Sequence, residues 1–283
     1  MKPMATDLAP KIWMYWEQGW SSAPVVVQQC AISWERLNPE YQLVRLDGQT
    51  VEDYLGPDQE AMILARRCPV QLRSDIIRLL FLSRFGGVWA DATLFCSRPL
   101  RNWLPPFPDN GAFFFSSPGQ DRLIASWFVT ANARSEIISA HLNELTSYLS
   151  QIPNLSRPTL WQRLIRRMVG WKLNRSAATT VGWWKPSLIK RSIWPYFIFH
   201  YCYNKLFTLD DGFRQLASRM PLLNAGPCHT LQMTGKACRF DVARRILADP
   251  DIPVHKLNWR DLAKKPEWEA ILKNFNSLRD MAE

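Results

Sequence analysis

The chain has 283 residues, 47% of them hydrophobic and 21% charged, which excludes a disordered polypeptide and gives ample length for one large α/β domain. No apolar run approaches the ~18 residues needed to span a bilayer, and Met1–Pro10 lacks the apolar centre of a signal peptide, so a cytoplasmic protein is expected. The formal charge is +10, from 35 Lys and Arg against 25 Asp and Glu.

Lys11–Trp16 (KIWMYW) is a short apolar run suited to a buried first strand, and Ser21–Pro24 reads as a loop. Val25–Leu37 reads as a helix stopped by Asn38-Pro39, and Tyr41–Leu46 as a second strand before an Asp47-Gly48 turn. Strand, helix, strand is the opening of a nucleotide-binding α/β sheet. Helices are expected at Gln59–Arg67 and from Leu72 to Phe85, the latter terminated by Gly86-Gly87. Val88–Ala90 is then a buried strand running into Asp91, and Ala112–Ser116 another core strand. Leu123–Ala133, Glu136–Ser150, Asp210–Arg219, Cys238–Leu247 and Glu267–Met281 read as helices. Gln151–Arg157 is the softest boundary. It separates a 1–150 core from a 151–283 region of basic, aromatic-rich helices and C-terminal elements that complete the same domain.

Six cysteines, Cys30, Cys68, Cys96, Cys202, Cys228 and Cys238, form no C-x-x-C pair, which favours reduced, buried thiols over zinc or disulfides. The charge is localised. No Asp or Glu occurs between Glu144 and Asp210, whereas residues 145–209 hold ten Lys and Arg and include Trp161, Trp171, Trp183, Trp184 and Trp194. Within this segment Thr159–Lys172 reads as an amphipathic helix, with Leu160, Trp161, Leu164, Ile165 and Met168 at helical spacing and Arg163, Arg166 and Arg167 off that stripe. Two readings stand side by side: a basic helix packed on the domain with its Arg face in water, and peripheral contact of residues 157–205 with an anionic membrane, worth roughly 1 kcal/mol per Lys or Arg. No nucleic-acid recognition motif accompanies the charge, so nucleic acid is not an expected partner.

Three pieces carry the chemistry: Ser74-Asp75-Ile76-Ile77-Arg78, then Gly86-Gly87-Val88-Trp89-Ala90-Asp91-Ala92-Thr93, and the first strand ending at Trp16. Asp75 and Arg78 are three apart on a helix and share a face. Asp91 follows a buried strand, which in an α/β sheet places it at the carboxyl edge where ligands bind. A carboxylate there with a hydroxyl neighbour, Thr93, suits a hard divalent cation that also takes phosphate oxygens.

The block SDIIRLLFLSRFGGVWADAT resembles the DxD-type glycosyltransferases with a GT-A fold, and is most similar to their capsular polysaccharide synthesis branch. KIWMYWEQGW, CAISWERLNP and the late HKLNW (His255–Trp259) add weaker matches. The resemblance implies an α/β, GT-A-like nucleotide-sugar-binding Rossmann-type sheet with an added helical, basic aromatic-rich C-terminal region. It implies a nucleoside diphosphate sugar as donor and Mn²⁺ or Mg²⁺ as cofactor. By the same resemblance Asp75 and Arg78 hold the donor sugar hydroxyls, Arg78 also nearing the diphosphate, and Asp91, with Thr93 and His255, meets the metal. Trp16, with Trp13 beside it, serves the nucleotide base, while His255 and Lys256 close over the diphosphate. The sequence departs from the D-x-D pattern at Thr93, where the second acid is replaced by an uncharged hydroxyl.

The expected activity is sugar transfer, with retention of anomeric configuration, to a polysaccharide or lipid-linked glycan acceptor on the inner face of the plasma membrane. Asp109, Asp121, Asp210 and Asp211 are all available as a second, nucleophilic carboxylate and nothing selects among them. Trp127, Phe128, His200 and Tyr201 suit either an acceptor surface or core packing. The competing class is a catalytically inactive sugar-nucleotide-binding or membrane-associated scaffold protein of a polysaccharide assembly.

Overall fold

The computed structural model describes residues 10–56, 59–234, 240–262 and 266–278. The stretch up to Ala9, Cys238 and Met281, all used in the readings above, lie outside them. In chain order the elements are β1 (Lys11–Tyr15), α1 (Val25–Leu37), β2 (Gln42–Leu46), α2 (Thr50–Leu55), α3 (Glu60–Arg66), α4 (Val70–Phe85), β3 (Gly87–Ala90), β4 (Leu94–Cys96), β5 (Ala112–Gly119) and β6 (Arg122–Ala131). Then follow α5 (Glu136–Ser150), α6 (Leu160–Leu173), α7 (Pro186–Lys190), α8 (Ile198–Leu209), α9 (Asp211–Ala217), β7 (Leu222–Asn224), α10 (Thr230–Thr234), α11 (Phe240–Ala248), β8 (Val254–Lys256), α12 (Trp259–Leu262) and α13 (Pro266–Leu278).

The expected α/β class is present, and α1 and α5 have the bounds read from sequence. One expectation is overturned: Leu123–Ala133 is not a helix but the strand β6. The run LIASWFVTA is apolar without a helical period, and its Trp, Phe, Val and Thr favour a strand that buries both faces. β6 closes a tight hairpin with β5, Gly119 standing opposite Arg122 across Gln120-Asp121. A register irregularity and a positive φ of 54° at Ser117 sit near the hairpin end. Five helices among the described residues escaped the sequence reading: α2, α7, α8, α10 and α12. α2 is entered from Asp47, whose Oδ1 accepts from the Gln49 and Thr50 amides at 2.9 Å. α8 begins inside the aromatic run YFIFHY.

The described residues divide into two compact units. The first draws on the stretches up to Leu46, Ala90–Leu104 and from Cys228 on. Its β1 and β2 pair in parallel, Lys11 opposite Gln42 through Tyr15 opposite Leu46, with α1 as their crossover. Its β4 and β8 pair antiparallel. α1 fixes β4 from the side: Trp34 Nε1 donates to the Leu94 carbonyl at 2.8 Å and the Cys96 amide donates to Ser33 Oγ at 2.9 Å.

The second unit comprises Asp47–Trp89 and Pro105–Pro227. Its β5 pairs antiparallel with β6 and parallel with β7. α4 is buried over most of its turns, including Ile76, Ile77, Leu79, Leu80, Phe81 and Leu82. It ends at Gly86, whose φ of 65° lies in the left-handed region and whose amide donates to the Leu82 carbonyl at 3.0 Å. A side chain cannot be accommodated there, because a Cβ would stand 2.5 Å from the Ala133 nitrogen and 3.0 Å from the Ala131 oxygen. Cys30, Cys68, Cys96, Cys202 and Cys228 are buried.

Gly86→Ala is therefore expected to lower unfolding stability by at least ~2 kcal/mol in urea titrations, since strain and backbone collision combine. A loss under ~0.5 kcal/mol, the size of an ordinary surface change, would show that the turn relaxes freely.

Candidate active site

α4 brings Asp75 and Arg78 together as the three-residue spacing requires, and Arg78 Nη1 donates to Asp75 Oδ1. This is not the solvated surface pair that such spacing usually gives. Arg78 is 3% exposed. Its guanidinium lies 5.3 Å from the Trp89 ring centroid and 5.1 Å from that of Phe199, so two aromatic faces flank it. A buried cation is tolerated only where such partners replace water.

Two buried histidines adjoin it. Burial lowers the pKa of His141 to about 4, despite the hydrogen bond between Nε2 and the Phe199 carbonyl. Burial also lowers that of His200. At neutral pH neither adds positive charge beside Arg78.

In the first unit, Asp91 and Thr93 lie in the turn between β3 and β4, closed by the Leu94 amide donating to the Asp91 carbonyl at 2.8 Å. Lys256, from β8, reaches both: its Nζ donates to Asp91 Oδ2 at 2.8 Å and to Thr93 Oγ1 at 2.8 Å. The β4–β8 register explains this reach, with Lys256 opposite Leu94 and the Leu257 amide donating to the Thr93 carbonyl at 2.9 Å. Successive strand residues point to opposite faces, so His255 leaves on the other side, opposite Phe95, and is fully buried.

Trp16 follows the last residue of β1 and its amide donates to the Leu46 carbonyl at 2.9 Å, placing it at the carboxyl end of the β1–β2 pair. It is partly exposed, and Trp259 meets it edge-on at 5.6 Å between centroids. Trp13 is fully buried, with no surface left for a base.

This cluster tests the expected divalent ion. The two oxygens from Asp91 and Thr93 do converge on one point, but a protein ammonium stands there. A divalent cation asks for about six oxygen ligands, and displacing Lys256 would offer it one carboxylate and one hydroxyl. Among the described residues, no group of three or more His, Cys, Asp or Glu could hold a metal ion. The described residues do not fit a resident divalent ion.

The four spare acids acquire separate surroundings. Asp109 is exposed and accepts from Asn132 Nδ2 at 3.3 Å. Asp121 is buried, accepting from the Tyr201 hydroxyl and pairing with Arg122 at 3.1 Å. Asp210 caps α9 by accepting from the Phe213 amide at 2.9 Å, and exposed Asp211 pairs with Arg214. Trp127, Phe128, His200 and Tyr201 are all buried, so the core-packing alternative holds for them. Sequence reasoning missed two partnerships, Lys256 with Asp91 and Trp259 with Trp16. The HKLNW stretch held both residues, but only the pairing of β8 says which of His255 and Lys256 faces Asp91.

Residues 2–171 match the family described as "Capsular polysaccharide synthesis protein". The chain is 29% identical over 110 residues to the glycosyltransferase afumC of Aspergillus fumigatus (strain CBS 144.89 / FGSC A1163 / CEA10), a match covering 35% of this chain and 28% of that protein. The chain thus spans under a third of that relative's length. Two solved structures are similar over most of this chain. The PaToxG glycosyltransferase has a TM-score of 0.40 and 13% identity, with coverage of 94% of this chain and 87% of that one. A glycosyltransferase involved in glycosylation of the major capsid of PBCV-1 has a TM-score of 0.41 and 10% identity, with coverage of 92% and 98%. With a family match that takes in well over half of its residues, the chain belongs to the capsular polysaccharide synthesis protein family.

Proposed function

We propose that this chain is a glycosyltransferase that moves a sugar from a nucleoside diphosphate sugar to a hydroxyl of a polysaccharide or lipid-linked glycan acceptor during cell-surface polysaccharide synthesis. The observation that supports it, in a chain of this family, is the ammonium of Lys256 held between Asp91 and Thr93 where a strand ends. The acceptor oxygen bonds to the anomeric carbon, the bond from that carbon to the diphosphate breaks, and the acceptor proton is released. Most of the work is electrostatic, because negative charge grows on the departing diphosphate.

The proposed roles follow the surroundings of each residue. Lys256 meets the developing charge, with Asp91 and Thr93 holding its ammonium in place. Asp75 takes donor hydroxyls, and Arg78, rigid between Trp89 and Phe199, supplies a second fixed cation. Trp16 offers the base a partly exposed indole, and fully buried Trp13 and His255 support the strands that carry Trp16 and Lys256. Retention of anomeric configuration belongs to the same proposal and rests on the resemblance of the 74–93 block alone. Mn²⁺ or Mg²⁺ would accompany the donor as the counter-ion of its diphosphate. The inactive sugar-nucleotide-binding reading keeps one observation in its favour, the neutral Thr93 in place of a second acid.

Asp91→Asn, folded by circular dichroism, is expected to lose transfer and donor hydrolysis by at least ~10², the size of a lost electrostatic anchor. Turnover near wild type would refute the assignment, and donor binding without hydrolysis in the wild-type chain would favour the inactive reading. Calorimetric titration of Mn²⁺ into the protein alone is expected to show no submillimolar site, while Lys256→Gln should lower kcat at least ~10-fold. A tight site on the free wild-type protein would show that the ammonium yields to metal.

A further inference from the structure

α6 carries apolar residues on two faces, and only one of them packs. Ile165, Val169 and Leu173 lie against Trp183, Ile193 and Tyr201 of the core. On the other side, Leu160 is 81% exposed, Trp161 67%, Leu164 49%, Met168 63% and Trp171 72%. At 100° per residue these five fall within an arc of about 100°. Arg163 and Arg167 border the arc on one flank and Lys172 on the other, all three exposed. Arg175 places its guanidinium 5.1 Å from the centroid of the Trp171 ring. The five tryptophans of the basic segment thus split: Trp183 and Trp194 are buried, Trp184 donates to Glu144 at 3.2 Å, and Trp161 and Trp171 face water. The amphipathic stripe expected from sequence is divided too, since Ile165 belongs to the packed face.

We infer that the solvent face of α6 docks on an anionic phospholipid surface. A soluble domain rarely leaves two indoles, two leucines and a methionine contiguous in water. The face matches the boundary between headgroups and acyl chains: large apolar side chains in the middle, cations at the rim. The charge selects the occupant. With no acid between Glu144 and Asp210, a second copy of the chain would set like charges against like, whereas anionic headgroups complement them. A soluble polyanion would meet the cations but leave the apolar arc in water.

The docking does not rest on the sugar-transfer reading and is read without turnover. The full chain is sedimented with vesicles of phosphatidylcholine alone or mixed with phosphatidylglycerol, at low and high salt. The expected result is association with the phosphatidylglycerol vesicles, weakened by salt and by Arg163→Gln with Arg167→Gln. Trp161→Ala with Trp171→Ala, which removes no charge and no packed side chain, should weaken association at least ~10-fold with circular dichroism unchanged. Absence of association at low salt, or association indifferent to the two tryptophans, overturns the proposal. So does a dimer that forms through these tryptophans, or equal, tryptophan-independent binding of dextran sulfate.

Discussion

The ammonium of Lys256 ties the carboxylate of Asp91 to the far end of the chain, 165 residues away. Neither group is well placed alone. A partly buried carboxylate without its cation is costly, and the contacts with Asp91 and Thr93 offset the rotamer freedom the lysine stem gives up. Much of the first unit's architecture serves this meeting: α1 pins β4 through Trp34 and Ser33, β8 registers on β4, and the turn after β3 presents Asp91 and Thr93 together. The neutral Thr93 two residues after Asp91 and the lysine between their oxygens then read as one arrangement.

Arg78 is governed by the same economy of charge in the other unit. Its fixed cation is wedged between Trp89 and Phe199, beside histidines that burial keeps neutral. The guanidinium is held where it stands by packing as much as by Asp75. A group held so firmly keeps its orientation before any ligand arrives, which is what a pre-organised electrostatic site requires.

How much of this was visible in the amino-acid order depended on the range of the forces involved. The Asp75–Arg78 pair, α1, α5 and the capped α6 are local, set by periodicity and by side chains a few residues apart, and they were legible. The aromatic walls around Arg78 were not, because Phe199 comes from a helix begun inside an apolar run that carries no start signal. Leu123–Ala133 was misread as a helix because an evenly apolar segment is compatible with either regular structure, and its β-favouring residue types and the hairpin turn at Gln120-Asp121 decide for the strand. Lys256 was noticed and its partner was not, since a three-residue strand leaves no periodicity to follow.

The capping of α6 has one more consequence. Gln162 closes the box with Thr159, its Oε1 accepting from the Thr159 amide at 2.9 Å, and its Nε2 also donates to the Arg191 carbonyl at 3.1 Å. One side chain therefore sets where the helix begins and how far it is rolled about its own axis. Rolling by a single residue would turn Trp161 toward the core in one sense and Arg163 and Arg166 toward it in the other, so one uncharged amide holds the outward-looking set in place.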